Sequence, residues 1–443
     1  MKSKLVKCRW LLALALMAPL KSAHAQQPAR TAVVVIPTDS FSEKSAAIAN
    51  HVARQNFARE PAFTAVDVRE HLLSEADDPQ LDAFRKAVEV VNQGCEQYNN
   101  LELDAAIDSL NSSLEMFDKA VGRMGAGEHY IKALLYLGAA QILSGDNDQG
   151  AIAFRKAAIY DRRLVLDKKV FPPSLIEIFE NVRQEVATLP PCVMQVNSAP
   201  AGAEIYLNGI FKGVTPLKLS GVPAGTHFLR LEKDGYLPWG RRVEFLPASD
   251  ETVEGRLQAG PQLPLWEKHR QSVLPVLASD PPKAPLIELG TWLRAEKLVV
   301  ASATQRRDEL SLQAALIQLA PPKQLSLRQI ELNITSPNFL NQLDAFFSSL
   351  YRQVDIPLDK TPGEKPSLAV AAGKCNSDSD CSMGEVCDIG SGRCIPYAPR
   401  GQAFYEKWWF WTLVGGGLAV AGGTAALVYV LTRPEVGTVE FSF

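Results

Sequence analysis

Histidine and cysteine are scarce in this chain, at six and seven of 443 residues. His51, His71, His129, His227 and His269 stand singly, with no pair at the spacing a metal site needs. A Gly-rich phosphate loop, a nucleophile elbow and a His-Glu-x-x-His helix are all absent. Charge of one sign is lacking too: 46 basic residues face 49 acidic ones, which gives no electrostatic reason to bind nucleic acid. No catalytic, cofactor-binding or metal-ligating residues are therefore expected, and nucleic acid is excluded as a partner.

Long apolar runs are missing except near the two ends. Lys2, Lys4, Lys7 and Arg9 precede an apolar stretch from Trp10 to Leu20, followed by Ala23-His24-Ala25. That order is a signal peptide over 1–25, with maturation at Gln26. Its removal takes five basic residues and leaves a net charge of about −8. Cys8 lies before the apolar run and cannot serve as a lipidated cysteine. The second run, Trp408–Leu431, carries no charged side chain and is collared by Trp408, Trp409, Trp411 and Tyr429. At about 1.5 Å per residue it matches a bilayer core of roughly 30 Å, so a transmembrane helix is expected over 408–431. Gly415, Ala419 and Gly423 recur every four residues, the spacing at which two spans pack closely as a homodimer. Exported amino terminus plus one span predicts a single-pass protein of a Gram-negative inner membrane. The bulk is then periplasmic, and 432–443 form a short cytoplasmic tail. Arg400 and Lys407 outside against Arg433 inside oppose this orientation, and the signal peptide decides it.

Between the ends the periodicity changes several times. Val33–Ile36 is a continuous apolar run, which reads as a buried strand. A helix over Glu43–Ala58, capped by Asp39 or Ser40, and a strand over Phe63–Val68 complete a βαβ segment at 26–78. That segment is too small to bury a core alone. From Pro79 to Thr188 the stripes are helical: Phe84, Val88, Val91, Cys95, Tyr98, then Leu103, Ile107, Leu110, Leu114, Phe117, Val121. Leu134, Leu137-Gly138, Gly145, Phe154 and Ala157 follow at spacings that resemble one tetratricopeptide repeat. Gly150 replaces that family's usual Ala and Arg162 its terminal Pro. The resemblance implies a short helical-repeat block over 79–189 that binds protein.

Residues 192–258 carry turns at close intervals. Asn208-Gly209 is a two-residue hairpin signal. The run Pro200-Ala201-Gly202-Ala203, Leu207-Asn208-Gly209, Gly213, Thr215-Pro216, Pro223-Ala224-Gly225 and Gly235-Tyr236 resembles the PEGA domain, a small β-sandwich of bacterial envelope proteins. Ala201 departs from that motif's Glu. The resemblance implies a non-catalytic surface module.

Stretches around Pro261–Pro264 and Asp280–Pro285 read as linkers. Leu298–Ser302, Leu310–Leu319 and Leu325–Ile334 read as strands, with a bulge between Leu327 and Ile330 where the apolar parity shifts. A helix bearing Phe339, Leu343, Phe346, Phe347 and Leu350 follows. The strands are expected to complete the sheet that Val33–Ile36 begins, so 286–356 and 26–78 would form one α/β domain. This pattern loosely resembles the amino-terminal domain of the Tol-system propeller protein, with the helical and PEGA modules inserted.

After a linker at 357–373, Cys375, Cys381, Cys387 and Cys394 fall within a small knot, 374–396. Two disulfides in an oxidising compartment, or a structural zinc site, fit that spacing. Asn376, Asp378 and Asp380 alternate as in a calcium loop, but Cys381 and Cys387 occupy that loop's Gly and Glu positions. Cys95 sits on an apolar stripe as a buried thiol would, and a bond to Cys192 is the competing reading. The fold class is multidomain α+β. The expected function is a non-enzymatic, membrane-anchored envelope protein that binds or scaffolds protein or cell-wall partners. The alternatives are a sensory receptor without its own output domain, or a periplasmic hydrolase whose site is unrecognised.

Overall fold

The computed structural model describes residues 27–352 apart from Glu75, Pro247 and Ala248, and two short strands further on. Its framework is a five-stranded mixed sheet. The strands are β1 (Ala29–Pro37) and β2 (Phe63–Ala65) from the amino-terminal part. They are joined by β10 (Lys297–Arg306), β11 (Glu309–Leu319) and β12 (Pro322–Asn333), in the order β12-β11-β10-β1-β2. β1 runs parallel to β10, with Val33 opposite Val299 and Ile36 opposite Ser302. Two segments more than 200 positions apart in the chain therefore build one sheet, as the apolar run in β1 requires. Val33 and Val35 point to a face covered by helices α1 (Glu43–Arg59) and α10 (Phe339–Ser349). Ala32, Val34 and Ile36 point to the opposite face. A strand buried on both sides cannot alternate apolar and polar residues.

That opposite face corrects the linker expectation. Pro261–Pro264 and Asp280–Pro285 open helices: α8 (Leu263–Val273) and α9 (Ala284–Trp292) put Trp266, Val273, Leu286 and Leu289 onto the sheet. Proline in the first turn of each helix (Pro264, Pro285) costs nothing, because the amide it lacks has no partner there anyway. Three smaller corrections concern local geometry. The N-cap of α1 is Ser42, and Asp39 instead accepts from the Ser42 amide and hydroxyl. β2 stops at Ala65 because Asp67 caps a further helix, α2 (Val68–Leu73). The bulge lies at Leu325, unpaired between Ser326 opposite Leu316 and Gln324 opposite Ile317, and not between Leu327 and Ile330.

Residues 79–187 form antiparallel helices α3 (Pro79–Asn99), α4 (Leu103–Asp118), α5 (Glu128–Leu143), α6 (Asn147–Tyr160) and α7 (Pro173–Ala187). Asp78 caps α3 ahead of Pro79, and Asp146 caps α6. A methyl at Gly138 or Gly150 would overlap the facing helix of the α5–α6 pair, so both positions need hydrogen. Cys95 and Cys192 are both buried free thiols, which excludes the Cys95–Cys192 bond. Burial pushes the Cys95 thiol up to about 11.

Seven strands follow in two sheets. One is β6-β3-β9, from β3 (Pro191–Ala199), β6 (Leu217–Pro223) and β9 (Asp250–Arg256). The other is β5-β4-β7-β8, from β4 (Glu204–Leu207), β5 (Ile210–Val214), β7 (Gly225–Glu232) and β8 (Trp239–Phe245). Met194, Val196, Ile205, Leu229, Leu231 and Val253 are buried in a core shared by the two sheets.

Among the described residues no helix is long and apolar enough to cross a membrane. The expected signal peptide, linker, span with Gly415, Ala419 and Gly423, and tail lie outside those residues, as do Cys375 and Cys381. Cys387 and Cys394 are register partners in the antiparallel strands β13 (Glu385–Asp388) and β14 (Arg393–Pro396).

Candidate functional site

The residues singled out in the turn-rich region fall into three groups, with Gly213 standing apart from them. Pro200, Gly202, Ala203, Thr215 and Pro216 close one end of the sandwich. There the fully buried Thr215 hydroxyl accepts from the Ala203 amide at 3.0 Å, and its carbonyl accepts from Gly202 at 3.1 Å. Gly213 sits at an irregularity in β5, facing Ile205. Asn208, Gly209 and Gly225 meet the helical block. Asn208 holds φ +50 at the hairpin tip, and its amide donates to the last carbonyls of α6, Tyr160 at 3.1 Å and Ile159 at 3.4 Å. One module thus caps a helix of another. Its carbonyl oxygen accepts from the Phe228 amide at 2.9 Å. A side chain at Gly209 would strike the backbone of Gly125 and Ala126. Gly235 and Tyr236 turn against α8, where Tyr236 bridges Ala259.

His227, 1 % exposed, completes the second group. Its Nε2 lies 2.8 Å from the Pro223 carbonyl and its Nδ1 3.0 Å from the Asn208 amide nitrogen. Only a neutral ring, donating at Nε2 and accepting at Nδ1, satisfies both. Burial lowers its pKa to about 4, against the pull of the Pro223 carbonyl.

Sequence reasoning missed the densest polar constellation. Glu204, only 2 % exposed, faces out of β4 towards α1 and α2. Its Oε1 accepts from Arg54 and Arg69, each at 2.5 Å, and its Oε2 accepts from the Tyr206 hydroxyl at 2.6 Å. His51 Nδ1 lies 3.3 Å from the same Oε2, and its ring stacks on Phe211 at 3.7 Å. Asp234 accepts from Arg69 at 2.8 Å, Arg54 at 3.2 Å and Asn50 at 3.1 Å. Glu232 bridges Arg69 and Arg230, and the Arg230 guanidinium lies 4.2 Å over the Tyr206 ring. Three carboxylates thus face three guanidiniums between the sheet domain and the sandwich.

Burial would raise the Glu204 pKa, yet Arg54 and Arg69 outweigh it and hold the carboxyl well below the ordinary range. Asp234 behaves likewise, its burial outweighed by the same two arginines. Burial, then Glu204, pushes the Tyr206 phenol up to about 12. A general acid needs a carboxyl raised towards neutrality, and these are driven the other way. The signal available in the sequence was Glu204 itself, a charge directly before Ile205 in a strand bounded by apolar residues.

Beside the lattice lies a cleft of about 380 Å³ where all three modules meet. Its walls include His51, Arg54, Arg69, Arg123, Tyr206 and Tyr236. Arg123, from a 3-10 turn at Val121–Arg123, donates to Asp78 at 2.6 Å and pairs with Glu70. Gln80 of α3 accepts from the Gly122 amide at 2.9 Å and donates to the Pro238 carbonyl at 3.1 Å. Among the described residues no cluster of three or more His, Cys, Asp or Glu could hold a metal ion.

This architecture defines a β-rich module clamped between a mixed α/β sheet and a block of helices. The module is a PEGA domain: that family's model matches residues 192–260. No curated protein and no solved structure matches the chain.

Proposed function

We propose that the protein is a non-enzymatic envelope protein, anchored by a single span at 408–431 in a bacterial inner membrane with its bulk in the periplasm. Its PEGA and tetratricopeptide-like modules hold protein or cell-wall partners. The observation that carries this reading is the closed charge lattice around Glu204, Asp234 and Glu232. It commits the densest set of ionisable groups in the described body to fixing one module against another. A buried, charge-balanced lattice of that kind makes a rigid platform. On that platform the exposed residues of β6 and β9, such as Lys218 and Glu254, remain open to solvent. A photo-crosslinking residue at Lys218 or Glu254 in living cells is expected to yield adducts with an envelope protein or cell-wall fragment. No adduct above background at either position overturns the scaffold reading. Sidedness is tested by a tag after Phe443, which is expected to resist protease added to spheroplasts.

A further inference from the structure

The main sheet ends in a strand with no partner on its far side among the described residues. β12 spans twelve residues, Pro322–Asn333, and pairs with β11 without interruption from Ser326 to Asn333. Alternate residues on such an edge aim their amide and carbonyl groups outward, a template for another strand. The other edges in the described body are shorter, at three to seven residues. β2 is three residues long, and the register of β5 is broken beside Ile205. β6 contains Gly221 at φ +78, and Gly240 of β8 is pressed against the backbone of Val121 and Gly122. β9 presents Asp250, Glu251 and Glu254 to solvent.

Two further observations bear on what the β12 edge accepts. The bulge frees Leu325, 40 % exposed, to line a cleft of about 530 Å³ at the end of the sheet. Phe63, Leu316 and Leu350 also line it. Around the cleft and along the strand stand Lys297, Lys323, Arg328 and Arg352. The acids nearby are Glu331, Glu309, Glu296, Asp344 and Glu60, of which Glu60 is paired with Arg352 at 2.5 Å, Asp344 with Arg59 at 2.6 Å and Glu296 with Arg30 at 3.6 Å. Lys297 sits over the Phe63 ring at 5.1 Å, and both line the cleft.

We infer that β12 is a docking edge for an extended acidic segment of a partner protein. The segment adds as a sixth strand beside Ser326–Asn333 and places one apolar side chain in the cleft. Main-chain hydrogen bonds supply affinity, and the cleft and cations select the sequence, as in other strand-addition complexes. With Arg352 engaged by Glu60, Lys297, Lys323 and Arg328 still outnumber Glu331 and Glu309, which makes a basic strand, or a second copy of this edge with its own Arg328, the wrong occupant.

The test uses the full chain in detergent and a fluorescein-labelled, end-capped octapeptide alternating Glu and Val. Two comparison peptides carry Lys in place of Glu, or N-methyl groups on alternate amides. The acidic peptide is expected to bind saturably and to slow hydrogen exchange at Ser326–Asn333 alone. The exposed substitution Arg328→Glu, and separately Lys323→Glu, should each weaken it about tenfold or more, in line with a close opposite charge turned into a like one. The inference is overturned by any of four results. They are no saturable binding, equal binding of either comparison peptide, protection elsewhere, or peptide-independent protection of β12 that grows with protein concentration. It does not rest on the envelope reading, because crosslinking at Lys218 or Glu254 probes a different surface.

Discussion

Removing one charge from the lattice should uncouple the modules. In Glu204→Gln the side chain keeps its size but turns one acceptor into a donor, facing Arg54 and Arg69 from a position 2 % exposed. Breaking a buried ion pair by deleting one partner costs about 3–5 kcal/mol. Both arginines retain Asp234, and Arg69 also retains Glu232, so the lower end, about 3 kcal/mol, is the expected loss. Set against a typical stability of about 5–15 kcal/mol, that is enough to separate unfolding events that otherwise coincide. Trp239 of β8 reports on the PEGA module, and Trp266 and Trp292 on the sheet domain. Single-tryptophan versions unfolded in urea should show coincident transitions in the wild type and separated ones in Glu204→Gln. A double-mutant cycle with Arg54→Met should return a coupling of about 1–3 kcal/mol. A loss under about 1 kcal/mol together with zero coupling would show that solvent screens the lattice, and the reasoning would fail.

Acid should test the same lattice with a defined sign. Folded Glu204 and Asp234 lie below their unfolded values, so their stabilisation is complete above about pH 4.3 and is lost as pH falls through the depressed values. Separation of the two tryptophan signals should therefore appear in the wild type only well below pH 4.3, by acid titration. His227 acts with the same sign over a higher window, as a base held neutral: between about pH 4 and pH 6.5 the unfolded chain binds a proton that the folded chain refuses. Its contribution is complete above that window, so wild-type Tm should fall on acidification through it, and His227→Gln should flatten that slope. Asn208→Ala should cost about 2 kcal/mol in urea unfolding, from the orphaned α6 carbonyls and the positive φ, whereas Asn208→Gly should relieve the φ part alone. Gly240→Ala places a methyl on the backbone of Gly122 and should expose the turn at Val121–Arg123 to protease, read by limited proteolysis.

Much of the sheet was legible because a strand buried on both faces has few ways to be written. Val33–Ile36 demanded neighbours, and parallel pairing with β10 supplied them across more than 260 positions. The hairpin at Asn208-Gly209 was equally legible, since positive φ narrows the residue choice. What covers the far face of the sheet was hidden, because Pro264 and Pro285 look alike whether they end a structure or begin a helix. The charge lattice was hidden for a different reason. Arg69 reaches Glu204 across 135 positions and Asn50 reaches Asp234 across 184, and no local period links such residues. Asn208 was read only as a hairpin turn, and its role as an α6 cap depends on a module whose docking leaves no periodic trace.

Ala29 and Arg352, at opposite ends of the described body, are tied to nearly the same spot. The Ala29 amide donates to the Ala62 carbonyl at 3.1 Å, and Arg352 pairs with Glu60 at 2.5 Å. Tension applied between these two points passes through the end of one sheet and bypasses residues 79–260, which hang from it as a side arm. A load on that arm reaches the sheet through the ion pairs of Arg54 and Arg69 with Glu204.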